Sequence, residues 1–112
     1  MLNHPAFRIP KESSWGFDEK AKVQYRRIDR YLSDIKAKID MHPGTKRSEQ
    51  TLSFHRPLQA YAKALFKQNF SVRRLEEWSS DKKSEKGPRA DAEDRARKEI
   101  PLFLALEAQK MV

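Results

Sequence analysis

The chain of 112 residues contains no cysteine, and this absence excludes several kinds of site. Without thiols there is no disulfide, no cysteine nucleophile and no cysteine-based zinc site. Long apolar runs are also missing, since the longest, 100–106, contains Pro101 and is too short to cross a membrane. The N-terminus lacks the continuous apolar core of a secretory signal. We therefore expect an intracellular protein, cytoplasmic or nucleoid-associated, with no membrane contact.

Glycine and β-branched residues are scarce as well. There are only three glycines, and valine, isoleucine and threonine rarely alternate with polar residues, which disfavours strands. Hydrophobic residues make up 38% and charged residues 36%, enough for one modest core in a single domain. The composition predicts an all-α fold. We expect a small bundle of four to five helices with a helix-turn-helix-like pair and an irregular N-terminal arm.

The expected arm covers residues 1–16, because Pro5 and Pro10 prevent a helix there. It packs against the domain, or inserts Arg8 and Lys11 into a minor groove. The single helical domain covers 17–112 and begins with a long helix over 17–41. Apolar residues in this helix alternate at spacings of four and three: Ala21, Tyr25, Ile28, Leu32, Ile35 and Ile39. Such a heptad seam packs inside the chain or pairs with another subunit.

The C-terminal third is predicted to be a linker over 80–88 followed by a kinked helix over 89–111. Acid–base pairs four residues apart, such as Asp91 with Arg95, favour helix at its start. Pro101 introduces the kink. Residues 102–106 are apolar all round, so they dock into the core or onto another chain. Protein partners, whether other subunits or a second copy, are therefore expected to bind through 17–41 and 100–111.

Residues 57–79 are predicted to form two helices joined by a sharp turn. One face of the first helix carries Leu58, Tyr61, Ala62 and Leu65. Asn69 suits the left-handed helix exit, and Ser71 suits the N-cap of a second helix. Val72, Leu75 and Trp78 then follow at intervals of three, beside Arg73 and Arg74.

This segment resembles the helix-turn-helix of bacterial DNA-binding proteins, particularly the resolvase and transposase type. The resemblance implies that Val72 to Leu75 open a recognition helix. The alternative is an ordinary helical hairpin inside a bundle.

The net charge is +8, and its basic excess is concentrated in the same segment. Such a field attracts polyanions. The candidate nucleic-acid-binding residues are Lys46, Arg47, Arg56, Lys63, Lys67, Arg73 and Arg74. We expect a nucleic acid partner, with DNA favoured over RNA; the alternatives are an acidic protein surface or a solvated basic surface. Interleaved aromatic residues could stack on single strands or form core: Tyr61, Phe66, Phe70 and Trp78.

No catalytic pattern is evident. The three histidines His4, His42 and His55 have no partner at metal-ligand spacing, and there is no glycine-rich phosphate loop or serine elbow. We therefore expect no enzyme, no metal and no cofactor. The expected function is that of a small basic nucleic-acid-binding protein within a nucleoprotein complex. The alternative is an interaction subunit or inhibitor of a larger assembly, with no direct nucleic-acid contact.

Overall fold

The computed structural model describes residues 1–40 and 50–111, and within them the chain is mostly β-structure. Seven strands and two helices follow one another within this part of the chain. Their bounds are β1 Leu2–Asn3, β2 Ser13–Asp18, β3 Val23–Ile28, β4 Ile35–Asp40, β5 Gln50–His55, α1 Leu58–Lys67, β6 Phe70–Trp78, α2 Ala90–Glu99 and β7 Phe103–Lys110. The expected all-α bundle is therefore wrong.

The strands form three antiparallel sheets. The largest has the order β1–β7–β6, so the last strand of the chain lies in its middle. The other two are the hairpins β2–β3 and β4–β5. Helix α1 packs on β6, and helix α2 packs on β3.

The β2–β3 hairpin is closed by a turn that its own side chains stabilise. The Asp18 carboxylate accepts the backbone N–H groups of Lys20 and Ala21 at 2.9 and 3.1 Å. Lys22 completes the turn with a φ of 56°, in the left-handed region. Because this hairpin depends on short-range hydrogen bonds, it needs little core of its own.

Strand β7 pairs with β6 along its whole length, from Phe103 opposite Trp78 to Lys110 opposite Phe70. Its first half is an apolar run, in which Leu104 is buried and its neighbours are half-buried. The β6 partner contains a bulge at Arg73, where the register shifts between Val72 and Arg74. The extra residue places Val72 and Leu75 on the same side of the sheet although they are three positions apart.

The core is thin for a chain of this length. Ile9 and Leu104 are 2% and 1% exposed, and among the residues whose burial is described Ala96 is the remaining buried apolar residue outside the prolines. The radius of gyration is 16.8 Å, whereas a compact chain of this length would have about 13 Å. The accessible surface is 8947 Å², against about 6,400 Å² for a compact monomer of this mass. Much apolar surface is therefore left uncovered.

The long helix predicted over 17–41 is wrong, because residues 17–40 contain the end of β2, all of β3 and all of β4, and residue 41 lies outside the described residues. The apolar residues at heptad spacing do not share a seam: Tyr25 and Leu32 are exposed, whereas Ile28 and Ile35 are partly covered. The inward positions of β3 belong to Gln24, Arg26 and Ile28. Exposed and half-buried residues alternate along β3. Because the inward residue Arg26 is charged, hydrophobicity alone does not show this alternation.

The second helix of the predicted helix-turn-helix is also wrong, since residues 70–78 form β6. The β-bulge at Arg73 explains the error, because it reproduces the three-residue spacing of a helix face within a strand. The first helix is present as α1, and Asn69 leaves it in the left-handed conformation with a φ of 67°. The motif and its recognition helix are therefore absent from this segment.

The kinked C-terminal helix is half correct. Helix α2 forms over Ala90–Glu99, where the acid–base pairs predicted it. Beyond Pro101 the chain is strand β7 and not helix. A short apolar run fits a buried strand as well as a buried helix, and periodicity cannot separate the two.

Candidate interaction surface

One face of the β1–β7–β6 sheet is lined with aliphatic side chains. The strand register places Leu75 opposite Leu106, Val72 opposite Ala108, and Leu2 opposite Leu104. Residues directly opposite in an antiparallel pair project to the same side. We call this surface the apolar face, and its members are Leu2, Val72, Leu75, Leu104, Leu106 and Ala108.

The apolar face is only partly covered within the described residues. Leu104 is buried, but Val72 and Leu75 are 44% and 47% exposed although α1 packs on their strand. Every residue of β6 from Ser71 to Trp78 is exposed. On helix α1, Phe66 is 77% exposed. Exposed apolar residues grouped in this way are typical of interaction sites, whereas single ones are common on any surface.

A hydrogen-bonded pair of one buried and one exposed side chain, His4 and Glu77, lies at the β1 end of the apolar face. The imidazole Nε2 of His4 lies 2.5 Å from Glu77 Oε2, and the Nδ1 accepts the backbone N–H of Ala6 at 3.1 Å. Because Nδ1 is an acceptor, the ring proton is on Nε2, which donates to the carboxylate. His4 is 4% exposed, so this pair ties the N-terminal segment to β6 across the central strand.

The N-terminal arm packs on the chain itself. The guanidinium of Arg26 donates to the Phe7 carbonyl at 2.8 Å and to Ser13 Oγ at 3.1 Å, and it stacks over Trp15 at 5.0 Å. Burial, and then the charge of Arg8, lower the pKa of Arg26. Arg8 itself lies over the Phe103 ring at 5.2 Å. These contacts correspond to the packed form of the arm.

The five candidate nucleic-acid-binding residues that the structure describes lie on three different parts of the fold. Lys46 and Arg47 lie outside the described residues. Arg56 is exposed between β5 and α1, Lys63 and Lys67 are exposed on α1, and Arg73 and Arg74 are exposed on β6. Arg74 lies 3.8 Å from Glu107 on the neighbouring strand. The four basic residues on α1 and β6 lie on two elements that pack together. They do not lie on one recognition helix.

A second basic surface, not predicted from the sequence, lies on the β4–β5 hairpin. Lys36 and Lys38 project to one side, opposite Phe54 and Leu52, and all four are exposed. The Lys36 ammonium lies 5.9 Å from the Phe54 ring centroid. The alternation of residues 35–39, isoleucine and alanine against lysine, was the signal that could have predicted this strand.

The segment between β6 and α2, predicted as a linker, is bound to α2. Asp94 Oδ1 accepts the Ser84 N–H at 2.8 Å and an Arg97 N–H at 3.1 Å. The Ser84 hydroxyl donates to Glu93 at 3.0 Å. The Ser84 hydrogen bond, followed by those of Arg97, lowers the pKa of Asp94, although desolvation opposes the change.

We expect Asp94→Asn to make the melting temperature depend less on pH in the acid range. A carboxyl whose pKa is lowered by folding stabilises the fold above its unfolded-state pKa, and this contribution is lost as the pH falls through the folded-state value. Thermal melts from about pH 5 to about pH 2 should therefore fall less steeply in the variant. Asp91→Asn, on the exposed side of α2, is the matched control. Equal slopes for the two variants would refute this role of Asp94.

Neither described helix has the length and apolar character that a membrane crossing requires. Within residues 1–40 and 50–111, no three histidine or carboxylate side chains are placed to hold a metal ion. Comparisons of the chain with models of protein families, with characterised proteins and with solved structures found no match.

Proposed function

We propose that the chain is a non-enzymatic interaction subunit whose apolar face docks onto a protein partner. The observation that carries the proposal is the exposure of Val72 and Leu75 beside half-buried Leu106 and Ala108. Covering such side chains contributes about 25 cal/mol for each Å² of apolar area removed from water. The expanded shape supports the same conclusion, because a chain with so thin a core gains stability by binding. We place the assembly inside the cell, where a cysteine-free protein loses nothing to a reducing environment.

The test is site-specific photo-crosslinking in the native cells. A photoreactive amino acid at Leu75 samples the apolar face, and the same group at Arg74 samples the opposite face of the same strand. We expect one defined protein product from position 75 and none of that product from position 74. The identified partner, co-expressed with the chain, should then lose binding with Leu75→Asp and keep it with Arg74→Asp.

Other results would reject the proposal. If both positions yield the same products, or neither does, the apolar face has no specific partner. If Leu75→Asp binds the partner as tightly as the parent, the crosslink arose by proximity and the face does not carry the binding energy.

A second candidate function is nucleic-acid binding without a helix-turn-helix. The observation in its favour is the exposure of Lys63, Lys67 and Arg73 on adjacent elements of a chain with net charge +8. Fluorescence anisotropy with a labelled duplex and a labelled single strand would measure binding over a salt series. Arg73→Ala with Arg74→Ala should weaken binding and lower the salt slope by about one unit per lost phosphate contact. Lys82→Ala with Lys83→Ala is the charge-matched control.

A further inference from the structure

Strand β7 has two unequal neighbours. On one side it pairs with β6 from Phe103 to Lys110. On the other side it pairs with β1 only at Phe103 and Leu104. Among the described residues, positions 105–110 therefore have no strand on the β1 side. Such an edge is a template for another strand, because its backbone groups are already extended and aligned.

Two hydrogen bonds determine which backbone groups face this edge. The Leu102 carbonyl accepts the His4 N–H at 2.8 Å, so residue 102 points toward β1. The Met111 N–H donates to the Asn69 carbonyl at 2.8 Å, so residue 111 points toward β6. Backbone direction alternates along a strand. The N–H and C=O groups of Leu106, Ala108 and Lys110 therefore point to the open edge.

The outer edge of β6 is protected, and the open edge of β7 is not. Strand β6 carries Arg73, Arg74, Glu76 and Glu77 together with its bulge, which are devices that natural sheets use against unwanted pairing. On β7 the groups that face the open edge belong to Leu106 and Ala108, which are half-buried, followed by Lys110. That stretch contains neither a bulge nor a proline. The edge of β6 is therefore suited to end the sheet, and the open edge of β7 is suited to pair with a further strand.

We infer that the partner supplies an extended strand, which pairs antiparallel with β7 at positions 106–110, in line with β1. The inference rests on the proposed function, and it adds how the partner binds. Continuity with β1 sets direction and register: since Leu2 lies opposite Leu104, a strand continuing beyond Met1 meets Leu106 next. Its side chains opposite Leu106 and Ala108 lie on the apolar face. They are bulky and apolar, because Ala108 leaves room that such a side chain fills.

The first test grafts a model strand onto the full chain. One apolar or β-branched residue for each of positions 106–110 is inserted directly before Met1, in register with β7. The amides of Leu106 and Ala108 should then exchange with solvent at least about tenfold more slowly, because exchange now requires the new pair to open. The melting temperature should rise as well. The control graft carries proline opposite Leu106 and Ala108, which cannot donate to them.

The second test applies to the complex with the crosslinked partner. Ala108→Pro removes an N–H that faces the open edge and leaves the β6 ladder intact, so the chain should keep its circular dichroism spectrum. Affinity for the partner should fall by at least about tenfold, because the hydrogen bond from the Ala108 N–H to the partner strand is lost.

The outcomes of these tests separate the inference from the proposed function. If Leu75→Asp abolishes partner binding and Ala108→Pro does not, the apolar face docks without strand addition, and the inference fails alone. If the graft protects neither amide relative to its proline control, the edge does not accept a strand. If the partner proves to be a second copy of this chain that pairs through β6, the proposed pairing of β7 with a strand of another protein is also refuted.

Discussion

Replacing Leu104 by alanine is expected to cost about 3 kcal/mol of unfolding free energy, within the range of about 2–5 kcal/mol for buried leucines. Leu104 is 1% exposed and lies between β1 and β6, opposite Leu2 and Glu77. Removing its side chain loses apolar burial and leaves a cavity in a core with few other members. Because the unfolding free energy of a small domain is only about 5–15 kcal/mol, the variant should lose a large fraction of its stability.

Urea denaturation followed by circular dichroism would measure this effect. Leu75→Ala is the matched control, since it removes the same atoms from the same face of the same sheet at a site that is 47% exposed. The control should cost less than about 1 kcal/mol. Similar costs for both variants would mean that Leu104 does not occupy the centre of the fold.

The local features of this chain were more predictable than its pairing. Helix α1 and helix α2 were expected from side-chain spacing and charge pairs, and the left-handed Asn69 was expected from its position after a helix. Each of these depends on residues within a few positions of one another. Such interactions are present in the sequence as fixed separations.

The strands were missed for three identifiable reasons. In β3 the inward position of Arg26 holds a guanidinium stacked on Trp15, so the buried side of the strand does not look apolar. In β6 the bulge at Arg73 gives Val72 and Leu75 a helix-like separation. In β4, apolar residues and lysines do alternate, but Ile35 and Ile39 also fit a heptad pattern, which predicts a helix instead. A residue pattern on one strand cannot show a bulge, because a bulge is defined by the partner strand.

The candidate site was predictable in part. The apolar segment 100–111 was expected to dock into the core or onto another chain, and the proposed joint uses the same segment as β7. Its geometry could not be derived from the segment alone. Leu106 and Leu75 are brought together by a pairing across more than thirty positions, and the composition of neither strand encodes that register. The nucleic-acid role of the basic residues 63, 67, 73 and 74 stays a prediction.

The other large loss of stability is expected at His4, whose ring makes one hydrogen bond to Glu77 and one to Ala6. Different substitutions remove the two hydrogen bonds separately. Alanine at this position should cost about 2–3 kcal/mol, because the Ala6 N–H and the Glu77 carboxylate both lose their partner. Asparagine places an amide oxygen near the position of Nδ1, so it keeps the bond to Ala6 and loses Glu77. Glutamine places an amide nitrogen near the position of Nε2, so it keeps Glu77 and loses Ala6.

A double-mutant cycle isolates the bond across the sheet. Glu77→Ala is measured in the parent, in His4→Ala and in His4→Asn by urea denaturation. In the parent it should cost about 1–3 kcal/mol, as expected when the buried donor His4 loses its acceptor. In both His4 variants it should cost almost nothing, because the donor is already absent. A cost that stays the same in all three backgrounds would show that His4 and Glu77 contribute independently. In that case the N-terminal segment would be held to the sheet by the β1–β7 pairing, the burial of Ile9 and the stacking of Arg8 on Phe103.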